Sequence, residues 1–176
     1  MSVTLVLLAA LALPGAAPER LRPSRSSADE ITRYAVARVC LPVVRDDAPF
    51  AEAARTDGFP WKAEPGAFAL NGTTPNVVQL RGPGCYFRID RGDPDKLRNA
   101  VLESLAAAGA PPRTPPLFDS GAAGGGPHRQ EAHCLAAVNR AGQPLAVLIS
   151  RKVGTSLAPA LQVSVYVEAK RCAPAP

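Results

Sequence analysis

His128, Glu131, His133 and Cys134 are the one local concentration of side chains able to ligate a metal. Alternate residues of an extended chain share a face, so Glu131 and His133 would converge, with His128 in the segment just before them. Zinc sites recruit their ligands in tighter, repeated pairs, and no second set accompanies these four. The favoured reading is surface polar residues beside a structural cysteine, with no metal and no cofactor. Cys134 near a histidine also raises thiol nucleophile chemistry. His133 is its chain neighbour and would point to the opposite face, which leaves only His128 to activate it. Asp119, in Phe118-Asp119-Ser120-Gly121, is a further acid upstream of the histidines. A hydrolase site would need the fold to gather His128, His133 and Asp119. Ser120 lacks the Gly-x-Ser-x-Gly frame of a hydrolase elbow. Gly124-Gly125-Gly126 is not followed by Lys-Ser or Lys-Thr, so it reads as a hinge rather than a phosphate cradle. No residue is assigned a catalytic role.

The elements that must carry these side chains are legible from periodicity. Ser27-Ala28-Asp29-Glu30 has the spacing of a capping box. Ile31, Tyr34, Ala35 and Val39 follow at helical spacing, and Pro42 predicts an end near Leu41. A second short helix is expected from about Pro49 to Asp57, capped by Asp46 or Asp47 and closed at Gly58. Val77–Arg81 and Cys85–Asp90 flank the turn residues Gly82-Pro83-Gly84. Cys85, Phe87 and Ile89 share one strand face and Tyr86, Arg88 and Asp90 the other. Asp93-Pro94 opens the clearest helix, with Leu97, Val101 and Leu105 as its apolar stripe and Gly109 at its close. Residues 111–130 read as a long Pro- and Gly-rich loop. Three strands finish the chain, at Glu131–Val138, Leu145–Ser150 and Leu161–Glu168. In the last, Leu161, Val163, Val165 and Val167 oppose Gln162, Ser164, Tyr166 and Glu168. Leu145 to Ile149 run without a polar break, as a central strand covered on both faces would.

The order α-α-β-β-α-β-β-β with short links predicts a single α+β domain over residues 27–172. About five antiparallel strands would carry two or three helices on one face. At 176 residues the chain is long enough to bury one core without disulfides merely to fold.

Cys40, Cys85, Cys134 and Cys172 are isolated from one another and lie downstream of an apolar N-terminus. They are the disulfide candidates. Cytosolic metal and redox sites cluster their cysteines, so two structural bridges in an oxidising compartment is the favoured reading, with four buried thiols as the alternative. A meander of the last three strands would set Cys172 roughly 35 Å from Cys134 at strand rise. Bridged Cα atoms lie within about 7 Å, so the expected pairing is Cys40–Cys172 with Cys85–Cys134. Residues 1–17 read as a signal peptide, because the run Val3 to Leu13 is too short to span a bilayer and small residues follow it. The run lacks a preceding positive charge, and a buried N-terminal helix is the alternative. Residues 18–26 form a polar tail and 173–176 a C-terminal one. The expected location is exported, periplasmic or extracellular, with no stable membrane span.

The net charge of +5 is spread along the chain and mixed with acids. No basic stripe interleaves with aromatics, which argues against nucleic acid as a partner. The Cys40-Leu41-Pro42 helix end, the strand cysteine Cys85 and the C-terminal Cys172 resemble small exported proteins of high-GC Gram-negative bacteria across residues 28–172. That resemblance implies export and assigns no activity or site. The element order is also similar to profilin-like and PAS-like domains, which implies the sheet-and-helix fold and suggests a small-ligand sensor as one alternative. The expected function is a non-enzymatic binding module for an envelope protein or component. Its contact surface would be the polar face of the last strand together with the 111–130 loop. The hydrolase built from scattered residues is the other alternative.

Overall fold

The computed structural model describes residues 27–54, 61–64, 67–70, 76–80, 84–120, 127–155 and 157–173. The leader, the 18–26 tail, Gly58, the glycine run at 124–126 and most of the C-terminal tail lie outside them.

The first helix starts where its capping box demands. The Ser27 amide donates to Glu30 Oε2 at 2.7 Å, and the Glu30 amide donates to Ser27 Oγ at 3.4 Å. Helical backbone runs as α1 (Ala28–Tyr34), a π-helical segment (Ala35–Cys40) and α2 (Leu41–Arg45). Pro42 therefore does not end the helix near Leu41. A proline ring collides with the carbonyl four residues earlier in a regular α-helix. Here the preceding turns are π-wound, with Leu41 N–H donating to the Val36 carbonyl five residues back, and Pro42 falls in the first turn of α2. α3 spans Phe50–Ala54. Pro49 supplies its first carbonyl, to the amides of Glu52 and Ala53. The Asp46 carboxylate, offered by the sequence as a cap, instead accepts from Arg45.

α4 (Pro94–Ala107) follows its sequence signals closely. Asp93 caps it by accepting from the amides of Asp95 and Lys96, and Gly109 adopts φ +75° after its end. Leu97, Ala100, Val101 and Leu105 are buried. The turn into α4 needs Gly92, whose φ is +139° and whose added Cβ would stand 2.9 Å from Leu97 Cδ1. Gly92→Ala should cost about 2 kcal/mol from backbone strain and the clash, read as a lower urea midpoint with unchanged m-value.

The strands are β1 (Trp61–Glu64), β2 (Ala67–Leu70), β3 (Asn76–Leu80), β4 (Gly84–Ile89), β5 (Phe118–Asp119), β6 (His128–Val138), β7 (Pro144–Lys152) and β8 (Leu161–Val167). They form one antiparallel sheet in the order β1-β2-β3-β4-β8-β7-β6-β5. The five expected strands are its contiguous middle, β3-β4-β8-β7-β6, and three short strands extend it. The class is α+β. The α1–α2 helical run and α4 pack on β4, β7 and β8. Cys85, Phe87, Ile89, Leu135, Leu145, Val147, Ile149, Leu161, Val163 and Val165 face them in one continuous core.

Segment 111–120 is not a free loop. It runs antiparallel beside β6, with Arg113, Leu117 and Ser120 amides donating to the carbonyls of Cys134, Ala132 and Gln130. Four prolines in this stretch (Pro111, Pro112, Pro115 and Pro116) keep it an irregular edge, which blunts strand addition from outside.

The disulfides are Cys40–Cys85 and Cys134–Cys172, with Cα separations of 5.2 and 5.4 Å. This overturns the expected pairing, and the sheet is the reason. Cys40 and Cys85 lie in the core on the helix side, whereas Cys134 and Cys172 pack with Ala146 on the other face. Either expected bridge would have to pass through the sheet. The 35 Å separation fails because β6 and β8 run parallel to each other, and Cys134 sits toward the same end as Cys172. Register carries Cys134 to Ala146 to Tyr166 across three strands. The chain then turns at Glu168, whose amide donates to Pro144, and returns Cys172 over Ala146. Ala146 is thereby covered, while Leu148, next but one on the same face of β7, stays half-exposed.

Candidate functional site

The sheet face away from the helices is built from strand residues of one parity. Register aligns Arg88, Gln162, Ser150 and Gln130 in one cross-strand row. The next row is Tyr86, Ser164, Leu148 and Ala132, and β5 extends it with Phe118. A bulge places both Leu117 and Phe118 opposite Ala132. Leu117 packs toward the Cys134–Cys172 cluster, and Phe118 is left 46% exposed. The C-terminal turn covers one end of this face. Tyr86, Arg88, Gln162, Ser164, Lys152 and His128 at the other end are half-buried.

A hydrogen-bonded chain crosses this open part. Tyr86 Oη donates to Gln162 Oε1 at 3.1 Å, and Gln162 Nε2 lies 3.4 Å from His128 Nε2. With Gln162 donating, His128 carries its proton on Nδ1, and that nitrogen is hidden from solvent without an acceptor. Arg88 is ion-paired with Asp90, Nε to Oδ1 at 3.3 Å, but that nitrogen is likewise buried and makes no hydrogen bond. Burial raises the Tyr86 and Tyr166 hydroxyl pKa values, so both remain protonated donors.

On the helix side, alternation along β6 presents Arg129, Glu131 and His133. The Glu131 carboxylate is gripped by both Nε and an Nη of Arg98 from α4, the second at 2.8 Å. Burial alone would raise the Glu131 carboxyl pKa, but the Arg98 guanidinium outweighs it and holds the group below the ordinary carboxylate range. His133 Nε2 lies 3.4 Å from Glu131 Oε2, and neither ring nitrogen makes a hydrogen bond. Asp119 accepts from Arg129 at 2.9 and 3.2 Å. Arg151 of β7 pairs with Asp95 of α4. These ion pairs clamp α4 and the edge segment onto β6 and β7.

The three weak site candidates are thus not gathered. His128 lies on the open face, and His133 is buried on the helix side beside Glu131. Asp119 is tied to Arg129 on the helix side. Among the described residues no group of three or more His, Cys, Asp or Glu side chains could hold a metal. Cys134 is bridged and is not a free thiol. Among the described residues no helix is long and apolar enough to cross a membrane. Sequence reasoning missed Arg98, which joins α4 to β6, and it placed Gln162 on the polar face of the last strand without its bonds to Tyr86 and His128. Compared with known proteins, the chain matches no family, no curated protein and no solved structure.

Proposed function

We propose that this chain is an exported, non-enzymatic binding domain of the cell envelope, and that the open sheet face is its contact surface. The observation that carries the reading is a half-buried polar face with hidden groups left unsatisfied, namely Arg88 Nε and His128 Nδ1. An unpaired buried polar group costs about 1–3 kcal/mol, a cost that a bound partner supplying acceptors relieves. Two buried bridges, one on each side of the sheet, support export to an oxidising compartment. The apolar run Val3 to Leu13 supports a secretory leader. The partner is an envelope protein or component that recognises side chains rather than a strand edge.

The test is site-specific photo-crosslinking in cells. A benzophenone side chain replacing Ser164 should give one discrete adduct. The same group at Lys96, exposed on α4, should give none. Equal labelling from both positions, or none from Ser164, would overturn the reading.

A further inference from the structure

Resting on that contact-surface reading, we infer that the open sheet face takes an acidic oligosaccharide, laid across β8 and β7 between Tyr86 and Phe118.

Three observations converge on this ligand class. The first is charge. Among the described residues Arg88 is ion-paired with Asp90 but its Nε donates no hydrogen bond, the Lys152 ammonium donates to no partner, and His128 Nδ1 has none. Asp90 is the acid that stands among them, beside Arg88. Two donors, Arg88 Nε and His128 Nδ1, and the one positive charge of Lys152 are therefore in surplus, and the complementary ligand brings acceptors and negative charge.

The second is where the aromatic side chains are placed. The whole chain holds three Tyr and five Phe. Tyr166 packs against the Cys134–Cys172 cluster under the C-terminal turn, whereas Tyr86 stands half-buried on the open part of this face and Phe118 is 46% exposed beyond it. A chain this poor in aromatics would gain most by burying them in its core. Between Phe118 and Tyr86 the same row carries only Ala132, Leu148 and Ser164. Side chains smaller than the flanking rings, with Leu148 the largest of them, make a shallow, mostly apolar floor four strand spacings wide, about 19 Å. Ring faces at its ends suit stacking against pyranose rings. The planar amide of Gln162 and guanidinium of Arg88 suit paired hydroxyls and carboxylates.

The third is the backbone. β7 and β8 are each paired on both sides, so their amides and carbonyls are spent within the sheet. An extended polypeptide draws much of its affinity from main-chain bonds at a free edge, and this floor offers none. Recognition here is by side chains alone.

The probe is tetragalacturonate, titrated into the isotopically labelled mature protein at low salt, with maltotetraose as the uncharged control. Tetragalacturonate should shift the amide resonances of Tyr86, Lys152, Gln162 and Ser164 in preference to those of α4. The control should bind at least about tenfold more weakly. The Arg88→Met/Lys152→Met double variant, altered only at half-exposed positions, should lose at least about tenfold in affinity, the equivalent of one charge-assisted hydrogen bond. Shifts elsewhere, equal response to both sugars, or an unchanged double variant would overturn the inference. If tetragalacturonate leaves the face silent while the Ser164 crosslinker captures a protein, the ligand class is wrong and the contact surface stands. Silence in both experiments overturns both.

Discussion

Removing the Cys40–Cys85 bridge with a Cys40→Ala/Cys85→Ala double substitution should lower stability by about 4 kcal/mol. The bridge spans 45 residues of sequence, and closing a loop of that size restricts the unfolded chain severely. Both sulfurs are fully buried, so alanine also leaves two small voids at the junction of the π-helical segment and β4. The bridge joins the helical layer to the sheet, so its loss should also weaken the docking of α1 and α2 on β4. Urea unfolding of the oxidised variant against the oxidised parent measures the difference directly. A loss under about 1 kcal/mol would mean that the unfolded state is already restricted without the bridge. Removing Cys134–Cys172, which spans 38 residues, should cost a similar amount.

Arg98→Met should cost about 3 kcal/mol, because it strips the paired charge from a carboxylate whose side chain is only 10% exposed. Adding Glu131→Gln to that variant should recover much of the loss, since an amide tolerates the site without a counter-ion. The coupling is read from a double-mutant cycle. It also has a pH signature. The folded-state pKa of Glu131 is depressed, so the unfolded state takes up protons at a higher pH than the folded state does. Its contribution is fully present above the unfolded carboxylate value, about 4.3, and is lost as pH falls through the lower folded value. The stability gap between the parent and Glu131→Gln should therefore narrow between neutral pH and about pH 3. A gap that widens over that window would reverse the assigned direction.

Most of the local structure was written in neighbouring residues. The Ser27–Glu30 box, the Asp93-Pro94 helix start, and the alternation in Cys85–Ile89 and Leu161–Val167 each depend on contacts within a few positions. What could not be read depends on distant partners. Arg98 on α4 resembles any solvated helix arginine until Glu131 is known to lie beneath it, 33 residues on. Pro42 is a sound stop signal for an α-helix, and only the π-wound turns before it explain its survival. The prolines of 111–116 look like a loop, yet that stretch is held along β6 by backbone bonds that composition does not encode. The disulfide pairing failed for a related reason. Length along the chain does not encode the side of the sheet on which each sulfur stands, and that side decides the pairing. Of the contact surface, the β8 half was visible as an alternating polar face. Its partners Arg88 and His128 needed the strand order β4-β8-β7-β6 to bring them alongside.

Two bridges each stay on their own side of the sheet, and the proposed export requires both to be formed in the native protein. Non-reducing tryptic mapping of protein recovered from its native compartment tests this most directly. Trypsin places the four cysteines in separate peptides, Val39–Arg45, Gly82–Arg88, Gln130–Arg140 and Cys172–Pro176. The account predicts the first linked to the second, the third linked to the fourth, and no free thiol. Linkage of Gly82–Arg88 to Gln130–Arg140, or four alkylatable cysteines in unreduced protein, would contradict it.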